Sequence, residues 1–389
     1  MAFKYENQLK TFLRIVDEYP GDVPLTKFLP AFFRENKQMG STDRRVASGL
    51  LYNYFRLGKA SPNLIPSERL FLAEFLCSSS SSAFLEHFKP ELNLKIEQPL
   101  EEKLNFLELS ELGFKLEDVY PFYQHLSEGV DKREFLKSIF IQPDLFIRIH
   151  RGKERLVKSR LSDAGISFVE ESETSLRLPN GTKLDQIFAG QSAFEIQDLS
   201  SQQAGEFFQP NKWDYWWDCC AASGGKSLLI HDQEPTIKLL VSDVRESILE
   251  NLDERFRNAG ILKYQKKVID LLQNPDPVLH DFSFDGIILD APCSGGGTWG
   301  RSPEMISQFR EGRINSFQNL QRSIIKNVVK YLKPGKPLVF ITCSAFKEEN
   351  EENVVYLQQE LGLELEEQKI LKGYEHKADT MFVARLVKP

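Results

Sequence analysis

Residues 213–243, WDYWWDCCAASGGKSLLIHDQEPTIKLLVSD, contain two short apolar segments separated by a turn of small residues and a helical stretch. The first segment ends at Asp218 and the second at Asp243, and the turn runs from Cys220 to Lys226. Parallel strands need a crossover connection of this kind, which is usually a helix. The stretch therefore predicts the first strand–helix–strand unit of a parallel α/β sheet.

The same alternation continues towards the C-terminus. Further apolar segments are KKVID (266–270), DGIILDAP (285–292) and PLVFITCS (337–344), and amphipathic stretches lie between them. Strands that alternate with helices form a doubly wound, mostly parallel sheet. We therefore predict an α/β fold, with a Rossmann-like domain over residues 211–389.

The part of the chain before this domain has a different pattern. Residues 1–140 are predicted to be all helical, because apolar side chains recur at helical spacing, as in Tyr5–Val16. Residues 141–210 are predicted to form a small α+β module. There LFIRIH (145–150) alternates like a strand, and Asn180–Gly181 is expected to form a hairpin turn.

Composition limits the class of protein. With 41% hydrophobic and 27% charged residues, the chain can bury a globular core. It has no long apolar run and no apolar N-terminal stretch, so we expect a cytoplasmic protein without membrane contact.

The five cysteines include no C-x-x-C pair, which favours reduced thiols over disulfides or a metal site. We expect a monomer.

The formal net charge of −7 argues weakly against a nucleic-acid partner, but charge is unevenly distributed. The stretch Ile147–Arg160 is dense in arginine and lysine. Such a run is equally consistent with RNA contact and with a solvated helix face.

Acidic residues end four of the predicted strands, at Asp218, Asp243, Asp270 and Asp290. Ligands of such sheets bind at the carboxyl ends of the strands, and an acid after the second strand commonly binds ribose hydroxyls. The small residues after the first strand allow close approach to the backbone; they are Cys220, Ala221, Ala222, Ser223, Gly224, Gly225 and Lys226. Together these residues predict a nucleoside-bearing cofactor, although each acid could instead cap the next helix.

Two cysteines follow strands at the same edge, Cys293 and Cys343. A thiolate that adds to carbon 6 of cytosine makes carbon 5 nucleophilic, which is covalent catalysis. Asp290, three residues before Cys293, is placed to bond the N3 and N4 edge of such a ring. The alternative is that both cysteines are inert small hydrophobes, as we expect for Cys77 and Cys219.

Three long stretches resemble the signature blocks of the Sun/Fmu (RsmB-like) family of S-adenosylmethionine-dependent RNA (cytosine-5)-methyltransferases. They are DCCAASGGKS (218–227), ILDAPCSGGGTWGRSPE (288–304) and VFITCSAFKEENEENVV (339–355), in the order expected for that family. The agreement of several long motifs makes the resemblance specific.

The resemblance implies a role for each residue of the cofactor site. Cys220–Lys226 would line the S-adenosylmethionine site, Asp243 would hold the ribose and Asp270 would lie near the adenine. Asp290 would face both the cofactor and the target base. Ser223 stands where the family usually has proline, which would loosen the cofactor turn.

The resemblance also distinguishes the two thiols. Cys343 would be the nucleophile, and Cys293 would assist release of the methylated product. Spacing alone does not make this assignment, and the competing assignment exchanges the two cysteines, as in DNA cytosine-5 enzymes, where the nucleophile is in a Pro-Cys motif.

The segment Met39–Gly58 resembles the NusB-like helical domain that precedes the catalytic part in RsmB-like enzymes. Arg44, Arg45 and Arg56 could contact phosphates there, or serve only the structure. This likeness favours ribosomal RNA as the partner. The alternatives are a transfer RNA cytosine-5 methyltransferase and an RNA-binding assembly factor without catalytic activity.

Overall fold

The computed structural model describes residues 2–110, 113–188, 190 and 192–389. These residues form two compact units, each built from several chain segments. The first unit contains the residues up to Gln124, residues 131–142 and residues 298–311. The second contains residues 125–130, 143–297 and 312–389.

Helices form nearly all of the regular structure in the described part of the first 140 residues, as predicted. They are α1 (Ala2–Glu18), α2 (Leu25–Glu35), α3 (Ser41–Arg56), α4 (Pro66–Cys77), α5 (Ala83–Phe88), α6 (Pro90–Asn93), α7 (Leu100–Glu108), α8 (Leu116–Val119) and α9 (Lys132–Ser138). In α1 the buried residues are Phe12 and Ile15, three apart on one face. The NusB-like character of this unit stays a prediction.

A segment from the C-terminal half of the chain completes the core of the first unit. Trp299 is 2% exposed, and its ring packs against Phe309 at 4.8 Å and Tyr120 at 5.5 Å between centroids. Arg56 is buried, and its guanidinium donates hydrogen bonds to the carbonyl oxygens of Ile139 and Gly300. A phosphate contact for Arg56 is therefore wrong, because burial and these backbone oxygens already use the side chain.

The second unit begins its regular structure with a small α+β module. Its elements are β1 (Leu145–Ile149), α10 (Glu154–Asp163), β2 (Val169–Glu170), β3 (Ser175–Leu178), α11 (Leu184–Phe188), β4 (Phe194–Ile196) and α12 (Leu199–Gln203). The strands are antiparallel in the order β2-β3-β1-β4.

The predicted hairpin at Asn180–Gly181 is wrong. The hairpin lies earlier, between β2 and β3, where Glu170 pairs with Leu176. Gly181 does adopt a left-handed conformation, with φ of 82°, but the chain then enters α11. Leu184 and Phe188 are buried four residues apart, so helical spacing decides the structure after this turn.

The larger sheet contains the strands that the alternation predicted. The strands of this sheet and the helices between them are, in chain order, β5 (Tyr215–Asp218), α13 (Gly225–Gln233), β6 (Lys238–Asp243), α14 (Glu246–Asn258), β7 (Gln265–Val268), α15 (Asp276–Leu279), β8 (Gly286–Asp290), α16 (Glu304–Gln308), α17 (Arg313–Val329), β9 (Pro337–Thr342), α18 (Glu351–Gln359), β10 (Glu364–Lys372) and β11 (Thr380–Val387). Helix α16 is the exception in this series, since it belongs to the first unit.

The strand order is β10-β11-β9-β8-β5-β6-β7, and the five strands from β9 to β7 are parallel. Trp216 and Trp217 point to opposite faces and are both buried, one in each apolar layer. The chain leaves β5 towards β6 and later returns on the other side through β8. Ligands bind at such a switch point, and here Asp218 and Asp290 end the two strands.

The predicted α/β fold with a mostly parallel sheet is confirmed. None of the helices in the described part of the chain has both the length and the apolar character needed to span a bilayer.

Candidate active site

The turn after β5 is shaped by its small residues. Ala222 and Gly224 both have positive φ, 45° and 85°. A Cβ atom on Gly224 would lie 2.7 Å from the ring of Phe256, so this position requires glycine. A Cβ atom on Gly225 would meet nothing closer than Gln197 at 4.0 Å, and α13 begins at this residue. The turn therefore leaves open space in front of the first residue of a helix.

Acidic side chains gather beside this turn. Asp243 accepts a hydrogen bond from the amide of Ala222 at 3.1 Å. Asp218 is buried and accepts one from the Ser227 hydroxyl at 2.6 Å. Burial, together with the charges of Asp290 and Asp243, raises the pKa of Asp218 to about 7. The carboxyl ends of β5, β6 and β8 thus place three carboxyl groups beside the turn, and the raised pKa of Asp218 favours its neutral form.

Lys226 connects the turn to the end of β8. Its ammonium is almost fully buried and donates to Asp290 at 3.0 Å and to the hydroxyl of Ser201 at 2.8 Å. Asp290 remains partly accessible, with its side chain 31% exposed. A carboxylate with one fixed partner and an accessible side can accept a further hydrogen bond from a ligand.

The two candidate cysteines are brought together by the pairing of β8 with β9. Asp290 is in register with Ile341, so the loops that follow these strands are adjacent. The sulfur atoms of Cys293 and Cys343 lie 3.0 Å apart, although 50 residues separate them along the chain. The hydrogen bond to Cys343, together with burial, raises the pKa of Cys293 well above its ordinary value.

Glu349 fastens the two cysteine loops to each other. It is fully buried and accepts hydrogen bonds from the amide of Ser294 at 2.9 Å and the hydroxyl of Ser344 at 2.7 Å. Gln321 donates to the same carboxylate at 2.9 Å. Burial raises the pKa of Glu349, although these donors oppose the shift. Each serine follows a candidate cysteine, so Glu349 holds both thiols in place.

Gly297 allows a second backbone contact near the thiols. Its amide donates to the carbonyl of Cys343 at 3.0 Å, and its carbonyl accepts from the amide of Thr380 at 2.8 Å. A Cβ atom here would lie 1.9 Å from the carbonyl oxygen of Thr380. Only glycine allows the loop to approach β11 this closely.

The remaining predicted residues lie outside this cluster of contacts. Asp270 is exposed and accepts a hydrogen bond from the amide of Leu272. Cys219 is buried and donates to the carbonyl of Ile288. Burial raises the pKa of Cys77 to about 12, as expected of an inert thiol. Arg45 is exposed, whereas Arg44 donates to the carbonyl of Met39.

Sequence reasoning did not identify Glu349 or Gln321. Glu349 lies within the run KEENEEN, where acidic residues resemble an exposed surface. The only available signal was its position a few residues after the strand that precedes Cys343.

The site fits S-adenosylmethionine. The open space at Gly225 accommodates an approaching ligand, and Asp243 offers a carboxylate to ribose hydroxyls. Asp290, whose side chain is partly accessible, adds a carboxylate that a sulfonium can approach. Among the residues that the structure describes, no group of three His, Cys, Asp or Glu side chains is arranged to hold a metal ion.

The sequence that forms this site is similar to ribosomal RNA methyltransferases. The family model described as 16S rRNA methyltransferase RsmB/F matches residues 206–387. A ribosomal RNA small subunit methyltransferase B of Enterobacter is 35% identical over 159 residues, which are 41% of this chain and 37% of that protein. Its Salmonella arizonae counterpart is 29% identical over 299 residues, which are 73% of this chain and 67% of that protein.

Solved structures share the fold. The structure of NSun6 from Pyrococcus horikoshii with SFG has a TM-score of 0.60 at 18% identity, and covers 69% of this chain and 97% of its own. A methyltransferase homologue from the same organism has a TM-score of 0.58 at 21% identity, and covers 74% and 98%. Over residues 206–387 this chain is therefore similar to the 16S rRNA methyltransferase RsmB/F family, and its site fits S-adenosylmethionine as the cofactor.

Proposed function

We propose that this protein transfers a methyl group from S-adenosylmethionine to carbon 5 of a cytosine in ribosomal RNA, with Cys343 as the nucleophile. The observation that carries the proposal is the 3.0 Å separation of the sulfurs of Cys343 and Cys293. The ion pair between Lys226 and Asp290 links the cofactor turn to the strand that leads to Cys293.

Cys343 starts the reaction by forming a bond from its sulfur to carbon 6 of the ring. The electron pair of the C5–C6 double bond then becomes available at carbon 5. Carbon 5 would then form a bond to the methyl group that bound S-adenosylmethionine supplies, and S-adenosylhomocysteine would leave with the electron pair of the broken sulfur–methyl bond. Loss of the carbon 5 proton restores the double bond and releases the Cys343 thiolate. Asp290 would bond the N3 and N4 edge and orient the ring.

Cys293 fits the later, proton-removing stage. Its raised pKa keeps the thiol protonated while it shares a hydrogen bond with Cys343. When the sulfur of Cys343 is bonded to carbon, it has neither a proton nor a negative charge, so its hydrogen bond with Cys293 and its charge no longer raise the pKa of Cys293. Cys293 then releases its proton to solvent more readily, and its thiolate would take up the carbon 5 proton.

The target cytosine has to be flipped out or single stranded, since a thiol cannot reach carbon 6 within a base stack. Ribosomal RNA is the proposed substrate because both relatives described above are named as ribosomal RNA small subunit methyltransferases. The small α+β module and the helical unit would contribute to RNA binding.

Cysteine variants test the mechanism. Cys343→Ala should abolish methyl transfer, whereas Cys293→Ala should accumulate a covalent protein–RNA adduct that survives a denaturing gel. Cys77→Ala, a cysteine with a raised pKa in the helical unit, is the matched control and should keep full activity. Full turnover by Cys343→Ala, or an adduct that depends on Cys293 instead, would refute the assignment.

Bisulfite mapping of ribosomal and transfer RNA from a deletion strain tests the substrate. We expect one ribosomal cytosine to lose its methylation. Loss from transfer RNA alone would contradict the ribosomal assignment, and absence of cofactor binding in calorimetry would favour the non-catalytic assembly factor.

A further inference from the structure

A second cleft lies on the edge of the large sheet opposite the candidate active site. It has a volume of about 930 Å³ and is lined by the residues that begin β5, β6 and β7, namely Tyr215, Lys238 and Gln265. The cofactor turn lies at the other ends of β5 and β6. Since these strands have four and six residues and rise about 3.3 Å per residue, the two sites are roughly 10–20 Å apart.

The charged side chains that line this cleft are cationic. Lys238 and Lys263 are exposed on its surface, and no carboxylate is among the described residues that line it. Asp253, on α14, is already paired with Lys266 and with the hydroxyl of Tyr264. The chain as a whole has a net charge of −7, whereas the charged residues that line this cleft are positive. The cleft therefore suits an anionic ligand.

Trp213 gives the cleft an exposed aromatic ring. The side chain is 70% exposed, whereas Trp216, Trp217 and Trp299 are buried. Its backbone has φ of 67°, in the left-handed region where a bulky side chain is strained and glycine is not. Neither the fold nor a core contact accounts for tryptophan at this position. Such an outlier points to a role for the exposed side chain.

We propose that this cleft binds a single-stranded segment of RNA, with a base stacked on Trp213 and phosphates beside Lys238 and Lys263. Aromatic side chains within a cationic groove are the common means of binding single strands, because every base has a face that can stack. A duplex would hide those faces. The proposal extends the proposed function, in which RNA is the substrate, to a surface remote from the thiols.

The test uses the whole chain and a fluorescent oligouridylate of about 12 nucleotides, within the usual range of single-strand sites. Trp213→Gly should weaken binding about tenfold in fluorescence anisotropy, the order expected for loss of one stacked base. Its melting temperature should stay equal or rise, because glycine adopts φ of 67° without strain. Trp213→Phe should keep most of the affinity.

The lysines are tested through the salt dependence of the same measurement. Lys238→Ala and Lys263→Ala should each reduce the slope of log affinity against log salt by about 0.7, the value for one phosphate contact on a single strand. The matched control is Lys369→Ala, which removes an exposed charge on β10 and should leave the slope unchanged.

Unchanged oligouridylate affinity in Trp213→Gly would overturn the proposal. Two other results would also overturn it. Displacement of the RNA by polyglutamate at equal charge, with polyglutamate binding that still depends on Trp213, would indicate an acidic protein partner. A wild-type dimer that dissociates in Trp213→Gly would indicate that the cleft is an interface between two copies of the chain. Methyl transfer is measured separately on the same variants. If the wild-type protein methylates no RNA, the proposed function fails, yet the anisotropy result still decides whether this cleft binds RNA.

Discussion

Arg255 on α14 donates hydrogen bonds to both the carbonyl oxygen and the hydroxyl oxygen of Ser223, each at 2.8 Å. The same guanidinium pairs with Glu195 on β4, which in turn contacts His150. Ser223 occupies the position where the resembled family usually has proline. The small α+β module thus supplies an external support for a turn that lacks the rigidity of a proline ring.

Loss of this support should weaken cofactor binding. Arg255→Ala removes two charge-assisted hydrogen bonds to the turn and leaves Glu195 without its guanidinium partner. We expect about tenfold weaker S-adenosylmethionine binding, or about 1.4 kcal/mol, since part of the gross energy is screened by water. Calorimetry measures the change, and Arg257→Ala, an exposed arginine on the same helix, is the control.

A proline at position 223 should replace the support that Arg255 gives to Ser223. In the Arg255→Ala background, Ser223→Pro should recover affinity, because the ring fixes φ without help from the side chain of another element. Wild-type cofactor affinity in Arg255→Ala would show that the turn needs no such support.

His150 should make the stability of the protein depend on pH. Burial alone would lower its pKa, but hydrogen bonds to Asp232 and Glu195 outweigh this effect and raise it to about 9. The pKa in the unfolded chain is about 6.5. A raised folded-state pKa gives stability that is fully present below about pH 6.5 and is lost as pH rises through about 9.

Urea denaturation at pH 6, 7.5 and 9 measures this dependence. The wild-type protein should lose stability over that range, and His150→Gln should lose much less of it, because glutamine does not titrate. Parallel curves for the two proteins would mean that His150 is not the responsible group.

Glu349 should affect catalysis without affecting the cofactor. Glu349→Gln keeps the size of the side chain but places an N–H group against donors from Ser294 and Gln321. We expect lower kcat, unchanged affinity for S-adenosylmethionine, and a loss of about 1–3 kcal/mol in the free energy of unfolding. The exposed Glu360, at the end of α18, gives the control Glu360→Gln. Equal kcat in both variants would contradict a positioning role.

Trp299 should contribute strongly to stability. Trp299→Ala removes a buried ring that contacts Tyr120 and Phe309, and we expect a loss of about 3–5 kcal/mol in the free energy of unfolding. Trp213→Phe, at an exposed position, should change it by less than about 0.5 kcal/mol. Similar urea midpoints for the two variants would show that the segment from Trp299 adds little to the helical core.

The sequence predicted the parts of this structure that depend on local pattern. Strands buried on both faces give apolar runs, and parallel strands carry the residues after them to one edge, so Asp290, Cys293 and Cys343 were foreseeable neighbours. The support of Ser223 by Arg255 was not, because partners 32 residues apart leave no periodic signal. After Gly181 the sequence predicted a hairpin but the structure has a helix, because the apolar residues there are spaced four apart, as a helix requires.

Because Trp299, Phe309 and their neighbours complete the core that the first helices begin, the helical unit cannot finish folding as it leaves the ribosome. Its core is complete only when residues 298–311 have been made. Fragments that end near residue 142 would lack this part of their own interior, so dissection of the protein should retain residues 298–311 with the N-terminal helices.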